Sequence, residues 1–154
     1  MIVIRRGDRL DVPFLRSLLA HAYSRPVNAL ELEHPAAVYV DNWGRRGDNA
    51  LVAMDGGHSV GAGWYRLFSA DAHGYGYVDE HTPELTIAVV PSRRGEGIGE
   101  QLVEALLARA REEGHRALSV ALERDAPERT LLEANGFAAH GEEGVMVTLW
   151  RQLD

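Results

Sequence analysis

The spacing of apolar positions along this chain changes several times, and each change marks an element. Ile2 to Arg5 (I-V-I-R) is short and β-branched, a first strand. Asp11 then reads as an N-cap with Pro13 in the first turn, and Phe14, Leu15, Leu18 and Leu19 recur at helical spacing to about Tyr23. Ser24 to His34 keeps no period and is broken by Pro26 and Pro35, after which Ala36 to Trp43 predicts a short second helix, ended by the turn Gly44–Asp48. Ala50–Asp55 and Ser59–Ser69 predict two antiparallel strands joined at Asp55-Gly56-Gly57, a hairpin signal, and Asp71–Gly76 reads as a loop.

In the second half the periods sharpen. Glu84 to Val90 (E-L-T-I-A-V-V) is a β-branched run closed by Pro91. Ile98 to Arg111 sets Ile98, Leu102, Val103, Leu106, Leu107 and Ala110 on one broad helical face, and Gly114 follows as a C′ glycine. Ala117–Leu122 is apolar but for Ser119, which predicts a strand buried on both faces. Asp125 and Glu128 have the spacing of a capping box for a helix to Ala134. Phe137–His140 and Val145–Trp150 then pair around Gly141–Gly144. The sum is an α/β (α+β) chain with a mixed, largely antiparallel sheet and helices on both faces.

Between the 84–90 strand and its helix lies P-S-R-R-G-E-G-I-G, residues 91–99. A strand, a glycine-rich turn and a helix start form an anion cradle. The first helical N–H groups have no partners, and glycine lets a ligand approach them. The dinucleotide fingerprint fails, because from Gly95 the third glycine falls at Glu100 and from Gly97 at Leu102. The triphosphate loop fails because no Gly-Lys-Ser/Thr occurs. What remains is R-x-x-G-x-G, filled by Arg94, Gly97 and Gly99, in which the amides from about Gly95 to Glu100 fan around a pyrophosphate with Arg93 or Arg94 supplying charge.

With that loop inside P-E-L-T-I-A-V-V-P-S-R-R-G-E-G-I-G and the later P-E-R-T-L-L-E-A-N-G-F (127–137), the sequence resembles the GNAT superfamily of acetyl-CoA-dependent N-acyltransferases. The resemblance covers the last half of the chain well and the first half in outline. It implies a single domain with a mixed, mostly antiparallel sheet of about six to seven strands and about four helices. Within 1–154, the acceptor side would span about 1–82, the acetyl-CoA core about 83–137 and a C-terminal hairpin about 136–151. The implied cosubstrate is acetyl-CoA, held at Val89, Val90, Arg93, Arg94, Gly95, Glu96, Gly97, Ile98, Gly99 and Glu100. The implied reaction is N-acetyl transfer to a primary amine of a small molecule, peptide or protein; the acceptor is unidentified.

The same resemblance places the chemistry. Glu84 matches the region where the family often sets a glutamate, as general base toward the acceptor ammonium; otherwise it is a solvated strand-end carboxylate. Asp79, Glu80 and His81 form a polar cluster just upstream that would substitute for it. The backbone N–H near Val89 would polarise the thioester carbonyl. Where the family usually carries a tyrosine as acid for the thiolate and an asparagine for pantetheine, this chain has Leu132 and Ala126. That departure favours the rival reading, a non-catalytic acyl-CoA-binding sensor. Tyr39, Trp43, Trp64, Tyr65, Tyr75 and Tyr77 would form an aromatic cage for a cationic amine, or serve only as core and hairpin packing.

Composition narrows the remaining classes. A net charge of −7 argues against nucleic-acid partners, including a transferase acting on charged tRNA, which would need a basic face. There is no cysteine, hence no disulfide framework or thiolate nucleophile, and the histidines lack metal spacing, so no metal is expected. No apolar run long enough for a membrane span and no signal-peptide pattern occur, which makes a cytoplasmic, bacterial-type protein the expectation. Dimers are common in the family, so a homodimer is among the expected assemblies. All 16 basic residues are arginine.

Overall fold

The computed structural model describes residues 1–22 and 35–153; the irregular stretch at 24–34 lies outside the described residues. One sheet contains β1 (Ile2–Arg6), β2 (Asn49–Asp55), β3 (His58–Arg66), β4 (Glu84–Val89), β5 (Ala117–Glu123), β6 (Ala138–Glu143) and β7 (Met146–Gln152). Their order is β1-β2-β3-β4-β5-β7-β6, and every neighbouring pair is antiparallel except β4 and β5. A parallel pair needs a crossover. Helix α2 (Ile98–Glu112) makes it, while α1 (Val12–Ala22) precedes β2 and α3 (Glu128–Ala134) follows β5. The mixed, mostly antiparallel architecture expected from the sequence is the one observed.

Alternation along β4 divides the two cores. Leu85, Ile87 and Val89 face α2, where Ile98, Leu102, Val103, Leu106, Leu107 and Ala110 are all buried against them. Ala88 faces the other way, with Ala62 and Trp64 of β3, onto Leu15, Leu18 and Leu19 of α1. Glu84 and Thr86 share that second face by parity and are also buried. β4 is therefore covered on both sides, as its continuous apolar run implies.

Several local expectations resolve differently. Asp11 does not cap α1. Asp8 caps a short 3₁₀ turn, Arg9–Asp11, through a capping box, and the Asp11 carboxylate turns back to Arg5 at 2.7 and 2.9 Å. Ala36–Trp43 forms a 3₁₀ helix, Pro35–Tyr39, followed by turns, so the described residues hold three α-helices. The Asp125–Glu128 box does not form: Pro127 occupies the N-cap of α3, and no side chain caps it. Strand β3 stops at Arg66, short of Ser69, and the Arg66 side chain forms a buried ion pair with Asp48. The final hairpin turns at Gly144-Val145, with a bulge between Ala139 and Gly141 absorbing the extra residue.

The parallel ladder between β4 and β5 covers only Glu84↔Ser119 and Leu85↔Val120, whereas the β3–β4 ladder runs on to Gly61↔Val89. Beyond Leu85 the two strands diverge. The Val90 N–H donates to Val60 C=O, toward β3, at 3.0 Å. Peptide groups alternate along a strand, so the N–H and C=O of Ile87 and Val89 point the other way, into the gap.

Candidate active site

On the α2 side of this gap lies a cavity of about 310 Å³. Its floor is Ile87 and Val89 of β4, its rim Arg93 to Gly95 and Gly97 to Glu100, and its far wall Pro127, Glu128 and Leu131 at the start of α3. Gly97 is the N-cap of α2 and has a left-handed φ of 83°, which its lack of a side chain makes cheap. A Cβ at Gly97 or Gly95 would meet nothing within 4 Å, so the space above the loop backbone is open. Gly99 plays a different part. A Cβ there would come within 2.8 Å of the Leu131 side chain, so this glycine lets α2 and α3 approach each other.

The two loop arginines divide their duties. Arg93 donates to Glu96 at 3.0 Å and to Asp55, at the β2–β3 turn, at 2.7 Å, which fastens the loop to the hairpin. Those carboxylates hold its guanidinium well above the ordinary value. Arg94 is exposed and has no ion-pair partner among the described residues, leaving it as the cation available to an incoming anion. Val90 and Glu96 do not line the cavity: Val90 packs between the two cores, and Glu96 serves Arg93.

Where the gap narrows, Thr86, Ile87, Val120, Ala121 and Leu122 enclose a crevice of about 20 Å³ that also touches Ala126, Glu128 and Leu132. Leu132 and Ala126 thus stand at the crevice with no donor to offer. The Thr86 hydroxyl is buried without a hydrogen-bond partner among the described residues.

On the opposite face Glu84 is 1% exposed, so it is no solvated strand-end carboxylate. Its Oε2 accepts a hydrogen bond from the Tyr39 hydroxyl, and its Oε1 has no partner among the described residues. Burial dominates its titration, raising the pKa to about 7; the Tyr39 hydroxyl and the Gly76 backbone oppose that rise. Asp79, Glu80 and His81 lie elsewhere, lining a groove of about 790 Å³ with Gly114 to Ala117, Trp150 and Gln152.

The aromatic residues do not gather into a cage. Trp64 and Tyr65 are fully buried on opposite faces of β3, the Tyr65 hydroxyl donating to Glu113 beyond the end of α2. Trp43 stacks on the Arg66 guanidinium at 5.2 Å. Tyr75 (40% exposed) and Tyr77, stacked on His73 at 4.5 Å, remain near the surface beside Tyr39. The part of Tyr39 in the site has no signal in the sequence, because 45 residues separate it from Glu84. Parity along β4 would have found Thr86; the sequence offered Tyr39 only as a cage aromatic, and its pairing with Glu84 needed the fold.

No helix among the described residues is long and apolar enough to cross a membrane. Solved structures with this fold span the whole chain. A ribosomal-protein-alanine N-acetyltransferase from Brucella melitensis is 23% identical, with TM-score 0.71, covering 98% of this chain and 99% of its own. An IAA acetyltransferase from Bacillus cereus is 22% identical, with TM-score 0.70, covering 99% and 100%. The yncA structure from Salmonella typhimurium, solved with its cofactor acetyl-CoA, is 19% identical, with TM-score 0.72, covering 100% and 95%. No curated protein sequence matches the chain. The model of the Acetyltransferase (GNAT) family matches residues 12–137, loop, gap and Glu84 included, and the chain belongs to that family.

Proposed function

We propose that this protein transfers the acetyl group of acetyl-CoA to a primary amine, with Glu84 as the general base. The observation that carries the reading is the placement of Glu84. A buried carboxyl, one of whose oxygens has no partner among the described residues, sits on β4 where the ladder to β5 ends, and an open anion cradle lies on the strand's other face.

The residues present fit acetyl-CoA. The open backbone at Gly95 and Gly97, the start of α2 and the unpaired Arg94 suit its pyrophosphate. The gap-facing peptide groups of Ile87 and Val89 suit the amides of pantetheine. When bound, acetyl-CoA supplies an activated thioester, whose C–S bond breaks as a C–N bond to the acceptor forms. The Val89 N–H, directed into the gap, stabilises negative charge on the acyl oxygen. Glu84 Oε1 takes the proton that the acceptor nitrogen must lose, directly or through water. Leu132 and Ala126 offer the departing sulfur no proton. A thiol pKa near 8.5 makes thiolate a tolerable leaving group, and solvent returns the proton.

The apolar crevice at Leu132 and Ala126 favours a second reading, an acyl-CoA-binding sensor without turnover. Calorimetric titration with acetyl-CoA, followed by a thiol-release assay over a panel of amines, separates the two. Micromolar binding with amine-dependent release supports the transferase, binding without release across the panel supports the sensor, and absence of binding removes both.

A further inference from the structure

We propose that Tyr39 is the positioning residue for Glu84: its hydroxyl, held between Glu84 Oε2 and the Tyr75 N–H, fixes the carboxylate so that Oε1 is the oxygen left to take a proton. The inference rests on the reading of Glu84 as base.

Four observations carry it. First, the Tyr39 hydroxyl donates to Glu84 and accepts from the Tyr75 N–H at 2.8 Å, so rotation about the C–O bond is tied at both ends. Second, the ring is fixed. It is fully buried, packs edge-on against Phe68 at 5.8 Å, and its backbone C=O accepts the Trp64 indole N–H at 3.0 Å. Third, the loop over it is shaped for this contact, since a Cβ at Gly74 would fall 2.4 Å from the Tyr39 hydroxyl. Fourth, the segment carrying Tyr39 is clamped by buried Arg66, which donates to the carbonyls of Val38 and Asp41 at 2.9 and 2.8 Å.

Among the described residues no charged side chain pairs with the carboxylate. Arg66, its cross-strand neighbour on β3, is committed to Asp48 at 2.9 Å. Ser119 on β5 donates its hydroxyl to Gly76 C=O at 2.7 Å. Helix α1 presents Leu15, Leu18 and Leu19 to this core, and Arg16 pairs with Asp41. From the covering loop, the Gly76 backbone faces Glu84, while Tyr77 and His73 stack on each other. The phenol is therefore the described side chain that sets the orientation of this carboxyl and favours its ionised form against the burial that dominates its titration. A donor to the ionised form opposes the desolvation that keeps it protonated.

Removing that donor in Tyr39→Phe favours the protonated form, and a hydrogen bond to a charged group corresponds to about one pH unit or more. The test follows the glutamate side-chain carboxyl carbons by ¹³C NMR titration of the full-length protein, with Glu84→Gln assigning the signal. Alongside it run the pH profile of kcat/KM and calorimetry with acetyl-CoA. The expected result is a Glu84 midpoint that rises by about one pH unit in Tyr39→Phe, a kcat/KM limb that rises with it, and unchanged acetyl-CoA binding. An unmoved carboxyl midpoint overturns the positioning role and leaves the base reading standing. A limb that survives Glu84→Gln overturns the base reading itself. Should Tyr39→Phe not fold, the wild-type protein still decides. The Tyr39 Cζ resonance must follow the Glu84 midpoint, and a resonance flat through that range overturns the contact.

Discussion

A carboxyl enclosed as Glu84 is destabilises the native state once it ionises, because the Tyr39 hydroxyl and the Gly76 backbone relieve its desolvation only in part. Its folded pKa, about 7, lies above the ordinary 4.5, so the native state binds the proton more tightly than the unfolded chain does. The stability this confers is complete below about 4.5 and is lost as pH rises through about 7. The loss is on the order of 3 kcal/mol. Glu84→Gln, which carries no titrating group, should show a flatter profile; urea midpoints of the two proteins at pH 5 and pH 8 check this. For Glu84 as the proposed base the sign reverses, since a base works deprotonated. The kcat/KM of the wild type should climb through pH 7 to a plateau, and Glu84→Gln should lose about 10²–10⁴-fold in turnover. Glu84 was singled out by the family resemblance, which sets a glutamate at the head of this strand. Its burial was not legible, since the covering residues, Tyr39 and the loop at 74–77, come from elsewhere in the chain.

At the scale of elements, the glycine-rich loop and the Tyr39 segment are each held by one arginine. Arg66 and Asp48 form an ion pair with both side chains at most 3% exposed. Breaking it leaves an uncompensated buried charge, so Asp48→Ala should cost about 3–5 kcal/mol, read from chemical denaturation. The two conspicuous glycines of the loop should separate in their effects. Gly97→Ala places a side chain at φ 83° with open space around it. It should cost about 1–2 kcal/mol of stability and weaken acetyl-CoA binding in calorimetry. Gly99→Ala drives a methyl into Leu131, so its damage should appear in thermal stability through the α2–α3 contact. The amphipathic face of α2 was readable residue by residue, because fifteen residues at one period leave little ambiguity. The ends of α1 and α3 were not. Asp8, Asp11 and Asp125 all satisfy the composition of a cap, and only the path of the preceding strand selects among them.

For the whole molecule, strand order and the divergence of β4 from β5 matter more than any single contact. Strand content was legible from the periods, and the divergence was not, because Thr86 to Val89 look like any other buried strand. The absence of lysine has a chemical consequence at this scale: no ε-amine on this chain can accept an acetyl group, so incubation with acetyl-CoA should leave every side chain of the intact protein at its original mass. The divergence has another. A sheet ordinarily has two edges, but this one has a third in its middle, where the Ile87 and Val89 amides lack strand partners although their side chains are buried. Such an interior edge pairs with an extended polar ligand without exposing itself to another chain, because α2 and α3 stand over one face and α1 over the other. Hydrogen exchange should therefore find these central amides opening like those of a rim strand, and closing only when the gap is filled.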